Sequence, residues 1–585
     1  AAQGPIVWKS DSGWGEDGNS RLVLNDDGTG IEILQSELPP NKMWSSVDGA
    51  QPRTPNTTPV ILQSGPMVGH TTHHSTKIWF LTADPASSTV EVIYQQLAED
   101  EDSDSGMIPV TPGTTIDMPP REEHNGSSLA AIDDLEPSTT YDYVIRVDGN
   151  AVAQGRFKTA PPPRLPVKFR YLLTSCLNVR KRKGYPEQPV WDTIRAKGPD
   201  FAMINGDTVY FTGSDYNKET GVIYGRVLQR HLEQRREPHF AKFVSSIPTY
   251  MTWDDHDFGE NNAFGDQKGK ENSLAAVKAL WANPSYGTND LPGVFYTYYW
   301  GNVHFLVLDD RWYRRQGSQF GEQQVDWLCD QLLQSRGVFK IIVSGGTILD
   351  YDDHVWIGKF VKKHSIYGVL FNSGDTHKNE FLSRPHDHWP YNIIQFTSSG
   401  IARENWMRPW AMLNVDTEAS DPSVSASFYG AENDYTFSTW SNEPDMICTD
   451  LELVQDSVAG RYNLTRCTQT VRLSDLTPDD VADVVLESPM GGDELIAGSK
   501  ITVSWRAFDS EVVERVMLQY SLDAGVSWDA ITYDWEDNNG SYEWIVPNQP
   551  SVEVKLRILG RGDGGRSIAE NYGLMSITTN PEDWE

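Results

Sequence analysis

The sequence predicts an α/β layered core, sheets flanked by helices, with a β-sandwich on either side of it. Three observations carry that prediction. From Lys168 to roughly Trp440, apolar β-branched runs (FRYLLTS, FAMINGD, HFLVLDD, KIIVSGG, YGVLFNSGD) alternate with helix-like stretches, the rhythm of a layered α/β fold. Before this block, from about Thr57, and after it, from about Asp483, the runs are short strands separated by turn residues. The segment Thr159-Ala-Pro-Pro-Pro163 closes the first of these blocks as an extended, semi-rigid linker.

Taken in order, residues 1–56 hold Asp-Gly, Asn and Pro turns and few periodic segments, and read as an irregular or short-stranded lead-in. Residues 57–163 form the first sandwich, with strands KIWFLTA, TVEVIYQQL, SLAAIDDL, YDYVIRVDG and AQGRFKTA. Leu135-Glu-Pro-Ser-Thr-Thr-Tyr141 is the phrase of a tyrosine corner, whose hydroxyl bonds back to the chain. Residues 164–482 form the core, in which VDWLCDQLLQS is the clearest amphipathic helix. Residues 483–585 form an immunoglobulin-like second sandwich with strands KITVSWRAF, ERVMLQYSLD, SYEWIVP and EVKLRILG and no titratable cluster that suggests chemistry. A chain of 585 residues exceeds what one hydrophobic core supports.

Composition excludes several functions. With 82 acidic against 49 basic residues, a net charge of −33, the surface repels polyanions, so nucleic-acid binding is not expected. No apolar run approaches the length of a membrane span. Four cysteines are too few for a disulfide scaffold. Cys448 and Cys467 flank a hairpin centred near Ser457 and are placed to bridge, whereas Cys329 reads as a buried apolar residue of its helix. The sequence starts Ala-Ala-Gln-Gly, as expected of a chain trimmed after export, and the protein is expected to be secreted or periplasmic.

Four strand ends carry potential metal ligands: Leu172-Leu-Thr-Ser-Cys176, Met203-Ile-Asn-Gly-Asp207-Thr-Val-Tyr210, Tyr250-Met-Thr-Trp-Asp254-Asp-His256-Asp257 and Phe371-Asn-Ser-Gly-Asp375-Thr-His377. Each alone reads as a turn, a packed thiol, an acidic loop or a helix cap. Together they fall after strands of one α/β block, where such folds place their sites. A thiolate, phenolate and carboxylate around one ion favour a charge-dense trivalent metal, and an all-carboxylate set favours calcium, magnesium or manganese.

These segments, in this order, resemble the PhoD-like alkaline phosphatases of the calcineurin-like metallophosphoesterase superfamily, relatives of the purple acid phosphatases. Gly65-Pro-Met-Val-Gly-His70 and the sandwich after it resemble that family's N-terminal domain. Leu308-Asp-Asp-Arg311-Trp-Tyr-Arg314, Gln324-Val-Asp-Trp327-Leu328 and Thr397-Ser-Ser-Gly400 resemble further family segments. The resemblance covers roughly residues 60 to 440. It implies a metallophosphoesterase core and an Fe3+ ion with one or two Ca2+ ions, with Mn2+, Mg2+ or Zn2+ as alternatives. Cys176, Asp207, Tyr210 and His377 are then expected on the iron side, with Asp207 bridging. Asp255, with Asp254 as its alternative, and Asp375 are expected on the second metal. His256 is expected to steady the phosphate or protonate the leaving oxygen, and Arg311 and Arg314 to hold the phosphoryl oxygens. Asp257 follows His256 where relatives place Glu, so Asn261 or Asn262 reads as a ligand or a turn. Asp309-Asp310 puts an additional negative charge near the anion site unless it points elsewhere.

The implied function is hydrolysis of phosphate esters by in-line attack of a metal-bound hydroxide, as in an alkaline phosphatase. A phosphodiesterase with the same centre is the alternative, to be separated by pocket width near Trp312, Trp406 and Trp410. A binding protein with an inactive core is the second alternative, and the second sandwich has no partner that the sequence names.

Overall fold

A computed structural model describes residues 62–82, 89–99, 127–178, 188–364, 366–401, 409–431, 463–477, 484–507, 513–562, 565–570 and 574–579, with the backbone of further short strands. Four of those strands lie in the lead-in, at Ile6–Trp8, Ser20–Leu24, Ile31–Gln35 and Trp44–Ser46, and pair in one antiparallel sheet.

The core is built on two mixed sheets. The first runs Thr249–Thr252, Phe201–Asn205, Lys168–Thr174, Trp410–Asp416, Ser423–Ala431, Asn463–Arg472 and Glu452–Gln455, with its first three strands parallel. The second runs Tyr296–Trp300, Val303–Val307, Phe339–Val343, Val369–Ser373, Ile393–Ser398 and Asn379–Arg384, with its four middle strands parallel. Every residue of these four middle strands is buried, as expected of parallel strands covered on both faces.

Alternation along the strands makes the layers. Phe305, Val307, Ile341, Val343 and Leu370 point into the cluster that also holds Tyr171, Leu173 and Met203 of the first sheet. Leu306, Ile342, Val369 and Phe371 point the other way, onto Leu328 and Leu332 of the helix Glu322–Gln334 and Ile357 and Val361 of the helix Asp353–Lys363. Tyr171 ties the sheets together: its ring stands edge-on to Phe305 at 5.3 Å, and its hydroxyl accepts from Asn372 at 2.6 Å. The packing of Glu322–Gln334 corrects one expectation. Its buried stripe is Gln324, Val325, Leu328 and Leu332, and Cys329, one residue past the stripe, is only half-buried beside a groove of about 500 Å³.

Before the core, the strands Leu62–Thr71, Thr76–Thr82 and Ser127–Ile132 form one sheet, and Val90–Glu99, Thr140–Val147 and Asn150–Lys158 belong to another. Val68, Ile78, Phe80 and Ile132 of the one meet Val92, Tyr143, Ile145 and Phe157 of the other in a shared apolar core. The Tyr141 hydroxyl accepts the Glu136 backbone N–H at 2.8 Å, the bond-back the sequence predicts. Trp79 fixes this unit to the core by donating to Ala279 O at 2.8 Å, and the Arg235 guanidinium lies near both Trp79 and Trp281, 4.6 and 4.3 Å from their ring centres.

After the core, two more sheets enclose an apolar core that includes Val503, Trp505, Leu518, Trp544 and Leu556. Asp493 anchors this unit through ion pairs to Arg336 at 2.8 Å and Arg164 at 3.1 Å. Cys467 is disulfide-bonded, and Cys448, its expected partner, lies outside the described residues. Among the described residues, no helix is long and apolar enough to cross a membrane.

Candidate metal centre and active site

Parallel strands present their carboxyl ends at one edge, and both sheets contribute to the same place. Cys176 follows the strand Lys168–Thr174, Asp207 follows Phe201–Asn205, Asp254 and Asp255 follow Thr249–Thr252, and Asp375 and His377 follow Val369–Ser373. The loops knit across each other: Cys176 N donates to Gly206 O at 3.2 Å, Gly206 N to Thr252 O at 2.9 Å, and Gly400 N to Ser175 O at 3.0 Å. Gly206 is required by contact as well as by its φ of +81°, because a Cβ there would lie 2.5 Å from the Asp254 Cβ. Cys176, Asp207, Asp375 and His377 themselves sit at φ of 61°, 52°, 63° and 56°. Left-handed backbone at a non-glycine residue costs of order 1 kcal/mol or more and gathers at functional sites.

The turns bring the donors into three trios, each with ligand atoms within 4.8 Å of one another: Cys176, Asp207 and His377; Asp207, Asp255 and His256; and Asp254, Asp255 and Asp375. Asp207 belongs to the first two and Asp255 to the last two, the arrangement of carboxylates shared between neighbouring ions. Tyr210 adds its hydroxyl 3.5 Å from His377 Nε2. Cys176 Sγ lies 3.4 Å from Asp207 Oδ2 and 3.1 Å from Ser399 Oγ.

The electrostatics are one-sided. Burial, reinforced by Asp254, Asp255, Asp257 and Asp375, holds Asp207 well above the carboxylate range. Burial, opposed by Arg311, raises Asp254, and burial with the neighbouring acids pushes Asp375 up to about 7. Burial and the Asp207 charge also push the Cys176 thiol and Tyr210 hydroxyl upward. The buried oxygens Asp254 Oδ2, Asp255 Oδ1 and Asp310 Oδ1 have no hydrogen-bond partner. Orphaned carboxylate oxygens facing one another are unfavourable unless cations sit among them. The residues therefore fit resident cations, with sulfur, phenol, imidazole and carboxylate donors on one side and carboxylates alone on the other.

Comparison with known proteins places the segments that carry these donors within a family. The family model described as PhoD-like phosphatase matches residues 171–404. These residues form a PhoD-like phosphatase domain. Alkaline phosphatase D of Bacillus subtilis (strain 168) is 23% identical over 376 residues, 51% of this chain; the chain spans 63% of that relative's length. A solved structure of PhoD superposes with a TM-score of 0.52 at 18% identity, over 65% of this chain and 88% of that one, which makes the core metallophosphoesterase-like in fold. Purple acid phosphatase PPD1 from yellow lupin matches at a TM-score of 0.44 and 10% identity, over 63% and 72% of the two chains.

Within the PhoD-like domain, the structure gathers the sulfur, imidazole and carboxylate candidates but gives the arginines other partners. Arg311 is 2% exposed, and its Nε and Nη2 both donate to Asp254 Oδ1, with Asp310 at 3.7 Å and Asp255 at 3.9 Å. It is the cation that compensates the acids rather than an open anion clamp. Arg314 donates from Nε to the Tyr351 hydroxyl at 3.0 Å. The His256 ring packs on Tyr210 with centres 4.3 Å apart, and its backbone N–H donates to Asp207 Oδ1 at 3.2 Å. Asn262 is an exposed turn residue whose backbone N–H donates to Asp255 Oδ2 at 2.6 Å. Asp309 does point elsewhere, accepting from Val294, Arg311 and Trp312 N–H groups. Asp310 faces Arg311 and Gly346, and burial lifts it to about 6. Trp410 is buried on Tyr429, ring centres 3.9 Å apart, so it cannot set the pocket width; Trp312 is half-buried, and Trp406 lies outside the described residues.

Three residues at the centre are absent from the sequence reading as functional. Ser399 accepts the His377 N–H at 3.0 Å and contacts Cys176 Sγ; its signal was the Ser-Ser-Gly400 ending of a strand. Asp257 takes the Thr208 hydroxyl and the Val209 and Asp254 N–H groups, holding the second and third ligand loops together. Tyr351 meets Arg314 from a loop with no pattern to mark it.

Proposed function

We propose that this protein hydrolyses phosphate esters at a centre of two or three cations. The observation that supports it best is the set of three donor trios sharing Asp207 and Asp255. Cys176, Asp207, Tyr210 and His377 would hold Fe3+, and Asp254, Asp255 and Asp375 would hold Ca2+, or Mn2+, Mg2+ or Zn2+ in its place. When bound, the cations neutralise the ester's charge and acidify water, supplying the nucleophile for in-line attack on phosphorus at neutral to alkaline pH. The chain's own residues do the rest. Asp207 and Asp255 set the spacing, and Arg311 fixes the Asp254 carboxylate by a two-nitrogen grip. His256, half-exposed against Tyr210, gives a proton to the departing oxygen. The reading takes residues 164–482 as the catalytic unit between Fn3- and immunoglobulin-like accessory units at 57–163 and 483–585, in a protein working outside the cytoplasm.

Metal analysis of the purified protein, paired with assays on p-nitrophenyl phosphate and bis-p-nitrophenyl phosphate, tests this. Iron with a hard divalent ion, a visible phenolate-to-iron band and turnover of the monoester are expected. Higher kcat/KM on the diester would make it a phosphodiesterase. No turnover of either ester with iron and any of these divalent ions supplied would overturn the reading.

A further inference from the structure

Arg314 is a half-buried arginine with no carboxylate ion pair among the described residues, in a chain with 82 acidic and 49 basic residues. Two acids of the adjoining loops are committed: Asp310 to Gly346 and Arg311, and Asp353 to Ser318 and Gln319. Its guanidinium is nevertheless held in place. The carbon of that group lies 4.8 Å from the Tyr351 ring centre and 5.5 Å from that of Phe264, itself 41% exposed. Both Nε and Nη2 donate to the Tyr351 hydroxyl. A guanidinium has five N–H groups in a planar fork, so this grip leaves the Nη1–Nη2 edge with a parallel pair of donors.

The position is the rim of the cation centre. Arg314 N donates to Arg311 O at 3.2 Å, and Gly265 N to Arg314 O at 2.9 Å. The loop carrying Gly265 also supplies the Asn262 N–H to Asp255. On the other side Tyr351 follows Asp350, whose charge acts on Asp375, and feels Arg311 and Asp310 itself. Among the described residues, Arg311 is held by Asp254, whereas Arg314 at this rim has no carboxylate partner.

We propose that Arg314, braced by Tyr351 and Phe264, receives a second oxyanion on the substrate, so that the site favours esters whose alcohol part carries a phosphate or carboxylate. This rests on the phosphoesterase reading above. A two-toothed guanidinium–oxyanion pair is geometrically selective, and an ester lacking the anion leaves the donors unmatched.

The matched probes are propane-1,3-diol bisphosphate and 3-hydroxypropyl phosphate, the same ester with and without the second phosphate. The cation-loaded protein is expected to show kcat/KM about ten-fold or more higher for the bisphosphate, mostly through KM. Arg314→Met should bring the ratio of the two kcat/KM values to near one, Arg314→Lys should keep part of it, and Tyr351→Phe should lower it by loosening the brace. Thermal melting of each variant checks that it folds. A ratio near one in the unmodified protein, or a ratio untouched by Arg314→Met, overturns the proposal; the same loss on both esters would place Arg314 on the scissile phosphate instead, and overturns it too. If neither ester is hydrolysed, the p-nitrophenyl ester assays above decide the phosphoesterase reading separately. Calorimetric binding of the bisphosphate then decides: loss on Arg314→Met supports the oxyanion site, and equal or absent binding overturns it.

Discussion

The two ends of the second core sheet bury opposite kinds of charge. At the amino ends, His304 and Lys340 are register partners on adjacent parallel strands, each 2% exposed. Burial lowers His304 to about 3 and Lys340 to about 7. At the carboxyl ends, Asp310 and Asp375 join Asp207, Asp254 and Asp255, and burial raises Asp207, Asp254, Asp310 and Asp375. Desolvation disfavours charge at both ends, yet the base end resolves all but one atom of it internally. His304 stacks on Tyr299 with centres 4.2 Å apart and pairs Nδ1 with Ser335 Oγ at 2.8 Å. The Lys340 amine sits 3.7 Å from the Tyr367 ring centre. Nε2 of His304 is the one ring nitrogen left over. Among the described residues, the acid end keeps several orphaned oxygens, left-handed backbone at four donors and one compensating guanidinium, that of Arg311. Burial alone does not mark a site; burial left unsatisfied from within the chain does.

Removing Asp207, one of the two residues shared between trios, is the hardest blow to that contrast. Asp207→Asn should lower kcat/KM on p-nitrophenyl phosphate on the order of 10³-fold and lower the bound metal per chain, because it weakens two donor sets at once. Full metal content in this variant would show that the trios are packing, as at the base end.

Arg311 separates compensation from catalysis. Arg311→Met leaves Asp254 buried without its partner, so the cation-free protein should lose about 3–5 kcal/mol of stability by urea unfolding. Added divalent cation should restore part of it by binding among the acids. A cation-free stability that does not move, with a raised KM for the ester, would return Arg311 to the phosphate-holding role implied by the resemblance.

What the sequence made legible follows from where the physics is local. Runs such as FAMINGD and KIIVSGG show their strands because a parallel strand covered on both faces must be apolar throughout, and each donor follows such a run directly. Tyr141 was legible because its corner is a bond between residues five apart. The pairing of Arg311 was not legible because its partner Asp254 comes from the other sheet, 57 residues away. Cys329 and Trp410 were misplaced for a related reason: a helix stripe has edges and a strand residue can face inward, and neither is decided by residue type.

The base end supplies the smallest test, and it runs on pH. Lys340 has a folded pKa of about 7 against 10.5 for an ordinary lysine. The folded chain therefore holds fewer protons than the unfolded chain across that window, and stability rises with pH from about 7 toward 10.5. The Tyr367 face returns part of the cost of burying the amine. Lys340→Met removes both, and should raise stability at pH 7 by on the order of 2 kcal/mol, with the gain fading toward pH 10.5. Urea midpoints of the cation-loaded protein and variant, compared at pH 7 and pH 10, measure it. The His304 contribution, present above its usual 6.5 and lost as pH falls toward 3, does not change between pH 7 and pH 10. Parallel pH curves for the two proteins would mean that Lys340 keeps its charge on the Tyr367 ring. The base end would then hold a buried ion as the acid end does, and the contrast between them would reduce to the orphaned oxygens and the strained backbone.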